Sequence, residues 1–94
     1  MSEKQKASKS ITVTNETGLH ARPASLFVQK AARFQSNIDV LKDEKRINAK
    51  SIMGILGAGI SKGSDIIIEA EGIDAEEAVD ALVDLIKDNF GEEY

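Results

Sequence analysis

The chain has 94 residues, enough for one small domain with a modest core. Hydrophobic residues at 41% and charged residues at 30% argue against a disordered chain; the absence of cysteine excludes a disulfide scaffold, a thiolate zinc site and a cysteine nucleophile, and a single histidine excludes a His-cluster metal site. The formal net charge of −4 argues against a general nucleic-acid binder, and no apolar run approaches the length of a membrane span or follows the N-terminal lysines as a secretory signal, so the expected location is cytoplasmic.

Residues 1–8 are polar and read as a loose tail of a single domain over residues 1–94. Ser10-Ile11-Thr12-Val13-Thr14 alternates apolar with β-branched polar side chains and predicts a half-buried strand. Asn15-Glu16-Thr17-Gly18 is turn chemistry. Ala24, Phe27, Val28, Ala31 and Phe34 recur at helical spacing and predict a helix over about residues 21–34. Asn37-Ile38-Asp39-Val40 predicts a second strand, Lys42-Asp43-Glu44-Lys45 a polar turn, and Arg46-Ile47-Asn48 a short returning strand. A short helix follows from Ser51 to Leu56, closed by Gly57 or Gly59. Lys62-Gly63-Ser64-Asp65 turns the chain into the strand Ile66-Ile67-Ile68-Glu69-Ala70. In the last helix Asp74 sits at the N-cap with Glu77 at capping-box spacing, and Val79, Leu82, Val83 and Ile86 form the apolar stripe. The order is β-α-β-β-α-β-α. Four short strands in so few residues leave no room for parallel crossovers throughout, so an α+β layer with helices on one face of an antiparallel or mixed sheet is expected.

Charge is unevenly distributed along this order. Residues 17–62 carry eight Lys/Arg against three Asp/Glu, whereas residues 74–94 carry eight Asp/Glu against Lys87 alone. The cationic part contains Thr17-Gly18-Leu19-His20-Ala21-Arg22-Pro23-Ala24, which joins a strand to a helix and sets the only histidine at the helix start. Pro23 suits a first helical turn, where its missing N–H is not needed. The free amides of that turn and the helix dipole make an anion site, and Arg22 adds a donor fork suited to phosphate. A neutral imidazole there is a competent nucleophile toward phosphorus, although a lone histidine at a helix start is more often an ordinary surface residue. Ser51 is first of all an N-cap; a phosphate on it would sit at a helix N-terminus beside Lys50. Ile52, Met53, Ile55 and Leu56 are too many apolar side chains for so short a helix to bury on one side, and this points to a patch for a protein partner. Neither a P-loop nor a GxGxxG nor a basic-aromatic pattern is present, and no cofactor is expected.

Gly18-Leu19-His20-Ala21-Arg22-Pro23-Ala24 and Lys50-Ser51-Ile52-Met53-Gly54 closely resemble the two signature segments of the histidine-containing phosphocarrier (HPr) family of the bacterial sugar phosphotransferase system, and the resemblance runs from about Ser10 to Phe90. It implies an open-faced sandwich, a four-stranded antiparallel sheet with three helices on one face. It further implies that His20 takes a phosphoryl group on Nδ1 from phospho-enzyme I and passes it to sugar-specific IIA components, with Arg22 holding the phosphate. Such a protein is a carrier rather than an enzyme and is expected to be a monomer. Ser51 matches a serine phosphorylated in many relatives by a dedicated kinase/phosphorylase, whose product partners a catabolite-control regulator. Thr17, Leu19, Ile52, Met53 and Leu56 would fall on the docking surface. The chain departs from many relatives in Leu56-Gly57-Ala58-Gly59, where a bulkier and more polar run is usual, and in a longer N-terminal tail. A regulatory paralogue that lacks the active histidine is disfavoured, because His20 is present.

Overall fold

A computed structural model describes residues 5–91. The elements are β1 (Gln5–Thr12), α1 (Ala21–Ala31), β2 (Asn37–Lys42), β3 (Lys45–Asn48), α2 (Ile52–Gly57), β4 (Asp65–Gly72) and α3 (Ala75–Lys87), followed by a 3-10 turn at Asn89–Gly91. The strands form one fully antiparallel sheet in the order β1-β4-β2-β3. It is the open-faced sandwich expected from the sequence, with three helices on one face. The alternation of β4 explains the layering: Ile66, Ile68 and Ala70 are buried, while Ile67 and Glu71 face water. On the uncovered face Arg46 of β3 reaches both Asp39 of β2 and Glu69 of β4, at 3.0 and 2.7 Å. On the covered face Phe27 of α1 and Ala78, Leu82 and Ile86 of α3 complete the core with Val13, Leu19 and Ile55. In α3, Glu76 and Glu77 lie in the first turn and Lys87 in the last, as the helix dipole favours.

Three expectations are corrected. Residues 5–8 are not tail but the first half of β1, in register with β4 from Gln5↔Gly72 to Ser8↔Glu69; residues 1–4 lie outside the described residues. The alternation of β1 is masked in the sequence because Lys9, on the helix-covered side opposite Ile68, is an exposed charged residue that reaches over to Asp80 of α3 at 2.6 Å. Secondly, α1 ends at Ala31 rather than Phe34, with the chain tightening into i→i−3 bonds from Arg33 to Lys30 and from Phe34 to Ala31. Thirdly, Asp74 holds the N-cap position of α3 but makes no side-chain cap bond. Its carboxylate accepts from the amides of Gln35 and Ser36, at 2.8 and 2.9 Å, and from the Ser36 hydroxyl. Gly72 completes that junction: with φ of +155° it lies so close that a Cβ would stand 2.6 Å from Ser36 Cα.

Candidate functional site

The segment between β1 and α1 is fastened at several points before it reaches the histidine. Val13 donates to the Ser64 carbonyl at 2.8 Å and accepts from the Gly63 amide at 2.7 Å. The Gly18 amide closes a turn onto the Asn15 carbonyl at 3.2 Å, and the Leu19 amide donates to the Ile60 carbonyl at 3.0 Å. Gly18 has φ of +62°, and a Cβ there would lie 2.4 Å from the Ile60 carbonyl oxygen, so only glycine fits. Lys62 pairs with Glu16 at 2.7 Å across the same junction, and this pairing lowers the carboxyl pKa of Glu16 from its ordinary value.

His20 follows this anchored loop. It is exposed, its backbone is extended at φ −129° and ψ 161°, and it is the N-cap residue of α1 without a side-chain cap bond. The next residue, Ala21, has φ of +54°, a left-handed conformation that costs a non-glycine residue about 1–2 kcal/mol. The first turn of α1 contains no acidic residue, so its amide donors and dipole are available to an anion. Pro23, buried within that turn, removes a donor that would have had no helical acceptor. Arg22 is exposed and has no hydrogen bond or ion pair among the described residues. It lines an open groove with Leu26, Lys30, Leu85, Phe90 and Gly91. The imidazole is therefore exposed at the N-terminus of α1, where another protein can reach it, and Arg22 two residues on is exposed as well.

Ser51 is the N-cap of α2, and its Oγ accepts from the Gly54 amide at 3.0 Å. Its own amide donates to the Asn48 carbonyl, while the Lys50 amide donates to Asn48 Oδ1 at 2.8 Å. The Lys50 ammonium is committed to the Phe34 carbonyl beyond the end of α1, at 2.7 Å. Of the four apolar residues of α2 only Ile55 enters the core; Ile52, Met53 and Leu56 are 39%, 77% and 37% exposed. Helices α1 and α2 are in contact.

The placement of the other expected docking residues is mixed. Thr17 is exposed, with its Oγ1 accepting from the Asn15 amide group at 3.4 Å. Leu19 is fully buried in the core and offers no surface to a partner, a correction to its expected role; the Leu19–Ile60 bond turns it inward. Two features went unread in the sequence. Asn15 is buried, and no local signal separates it from an ordinary turn asparagine. Phe90, at i+4 from Ile86, is buried like a continuation of the α3 stripe, but it lies past the helix end in a left-handed conformation. Among the described residues no cluster of three or more His, Asp or Glu could hold a metal ion, and no helix is long and apolar enough to cross a membrane.

The molecule is thus a small open-faced sandwich with one exposed histidine at a helix N-terminus and, two residues on, an arginine without a partner among the described residues. The chain belongs to the HPr family of the phosphotransferase system: the family profile described as "PTS HPr component phosphorylation site" matches residues 7–88. It is similar to the HPr-like protein Crh of Halalkalibacterium halodurans, 51% identical over 79 residues that cover 84% of this chain and 94% of that one. It is also similar to the phosphocarrier protein HPr of Neisseria meningitidis, 45% identical over 84 residues, covering 89% and 94%. A crystal structure of HPr-C-His from Thermoanaerobacter tengcongensis superposes with a TM-score of 0.91 at 57% identity, over 94% of this chain and 99% of that one.

Proposed function

We propose that this chain is a phosphoryl carrier in the cytoplasm, loaded on His20 by phospho-enzyme I and unloaded to sugar-specific IIA components. The lone pair of the His20 Nδ1 attacks phosphorus as the bond to the donor breaks and its electron pair stays with the donor; the reverse geometry passes the group on. The amides of the first turn of α1 and the guanidinium of Arg22 stabilise the phosphate oxygens, which are present only during and after transfer. The observation that carries the reading is the exposed, uncapped His20 at a helix N-terminus free of acids, with Arg22 two residues on. The exposure of His20 leaves it accessible to a partner protein that presents the phosphate. Incubation with enzyme I and phosphoenolpyruvate tests this: acid-labile phosphate on His20 is the expected product.

A second reading rests on the 51% identity to the HPr-like protein Crh and on the exposed apolar trio of α2 beside Ser51. Under it, Ser51 is phosphorylated by a kinase/phosphorylase and the modified α2 surface docks on a catabolite-control regulator. Both uses fit one chain, since the two residues lie on different helices. Labelling with ATP and the kinase, followed by regulator binding, tests this branch separately.

A further inference from the structure

We propose that Asn15 is a positioning residue for His20; the inference rests on the carrier reading above. Asn15 is 3% exposed, and its side-chain amide donates to the Gly18 carbonyl at 2.9 Å in a buried hydrogen bond. The same peptide unit, between Gly18 and Leu19, donates through the Leu19 amide to the Ile60 carbonyl at 3.0 Å. Both polar ends of that peptide are thus fixed, and the Leu19 side chain is sealed in the core. The residue that follows is His20. Its ring projects from a backbone whose preceding peptide is hydrogen-bonded at both ends and whose following residue, Ala21, is in a left-handed conformation.

The other half of the Asn15 amide marks the cost of this arrangement. Its Oδ1 is buried without a hydrogen-bond partner, the single such side-chain atom among the described residues. A buried acceptor left unpaired is unfavourable, and an apolar residue of similar size would avoid the penalty. Asparagine is nonetheless the residue that delivers a donor to the Gly18 carbonyl from inside the turn. The donor bond sets the peptide plane from which the chain enters the histidine, and a nucleophile that must meet phosphorus in line is sensitive to displacements of that kind.

The test compares wild type with Asn15→Ala and Asn15→Ser, the latter keeping a shorter hydroxyl donor. Initial rates of phosphoryl transfer from phospho-enzyme I are measured over a range of carrier concentrations, well below each variant's melting midpoint. A positioning role predicts that Asn15→Ala loses about 10- to 100-fold in the rate at saturating carrier, with the half-saturating concentration changed less than about twofold, and that Asn15→Ser is intermediate. If Asn15→Ala does not fold, the comparison of Asn15→Ser with wild type carries the test. A folded variant transferring at the wild-type saturating rate, a loss confined to half-saturation, or equal losses in both variants overturns the proposal alone. Wild-type protein that takes no phosphate on His20 overturns the carrier reading and this inference with it.

Discussion

Asp74 and Ser36 lie 38 positions apart in sequence, yet the Asp74 carboxylate accepts from both the Ser36 amide and the Ser36 hydroxyl. This contact ties the β4–α3 junction to the segment between α1 and β2, so the helix that carries His20 is secured at its far end by α3's leading residue. The hydrogen bonds from Ser36, and that from the Gln35 amide, hold the Asp74 pKa below the ordinary value of 3.8.

Stability should follow that shift. The folded pKa of Asp74 lies below its unfolded one, so the stabilisation is complete above 3.8 and is lost as pH falls through the lowered folded value. Asp74→Ala is expected to lower unfolding free energy by about 2 kcal/mol at neutral pH, because it strands buried donors of Ser36. Denaturant melts of both proteins across the acid range should show the gap closing at the low end. A gap that is constant with pH would contradict the ionised acceptor.

Gly18→Ala should be among the most damaging changes available to the loop. The positive φ and the 2.4 Å approach to the Ile60 carbonyl act together, and the carbonyl belongs to backbone that cannot swing aside. The expected cost is about 3 kcal/mol, summing left-handed strain and overpacking. Equilibrium unfolding reads this directly, and a loss below about 1 kcal/mol would contradict the fixed approach.

Arg22 should matter to transfer and not to folding. It is exposed and without a protein partner among the described residues, so Arg22→Ala and Arg22→Lys should melt within about 0.5 kcal/mol of wild type. Both should slow phosphoryl transfer, alanine more than lysine, because lysine keeps the charge and loses the planar fork. Transfer at the wild-type rate in Arg22→Ala would remove the guanidinium from the phosphate site.

Ser51 separates capping from regulation. Ser51→Ala removes the acceptor for the Gly54 amide and should cost about 1 kcal/mol while leaving transfer normal. Ser51→Asp keeps a capping acceptor, so it should melt near wild type, but it places a negative charge beside the exposed Ile52, Met53 and Leu56. Slower phosphate acceptance from enzyme I is the expected result. Equal initial rates for the two variants would leave Ser51 as a cap alone.

The parts of this molecule readable from sequence were those whose signal is local. The alternation through Ile66–Ala70, the helical stripe of α3, the serine cap of α2 and the Leu19-His20-Ala21-Arg22-Pro23 segment each depend on neighbours within a turn or two. The unread parts depend on distant partners. Lys6 and Ser8 look like tail until Glu71 and Glu69 are set opposite them in β4. The Asp74 carboxylate had a cap available locally and took donors from Gln35 and Ser36 instead. Leu19, beside the exposed His20, was expected at the docking surface; the bond to Ile60 points it inward.

Phosphoenolpyruvate-dependent labelling of wild type and His20→Ala in the presence of enzyme I tests whether His20 is the phosphoryl acceptor. The exposed ring makes no hydrogen bond among the described residues, so His20→Ala should keep its fold, with stability changed by less than about 0.5 kcal/mol. Acid-labile phosphate is expected on wild type and none on the variant; labelling of the folded His20→Ala protein at the wild-type level would rule out His20 as the acceptor.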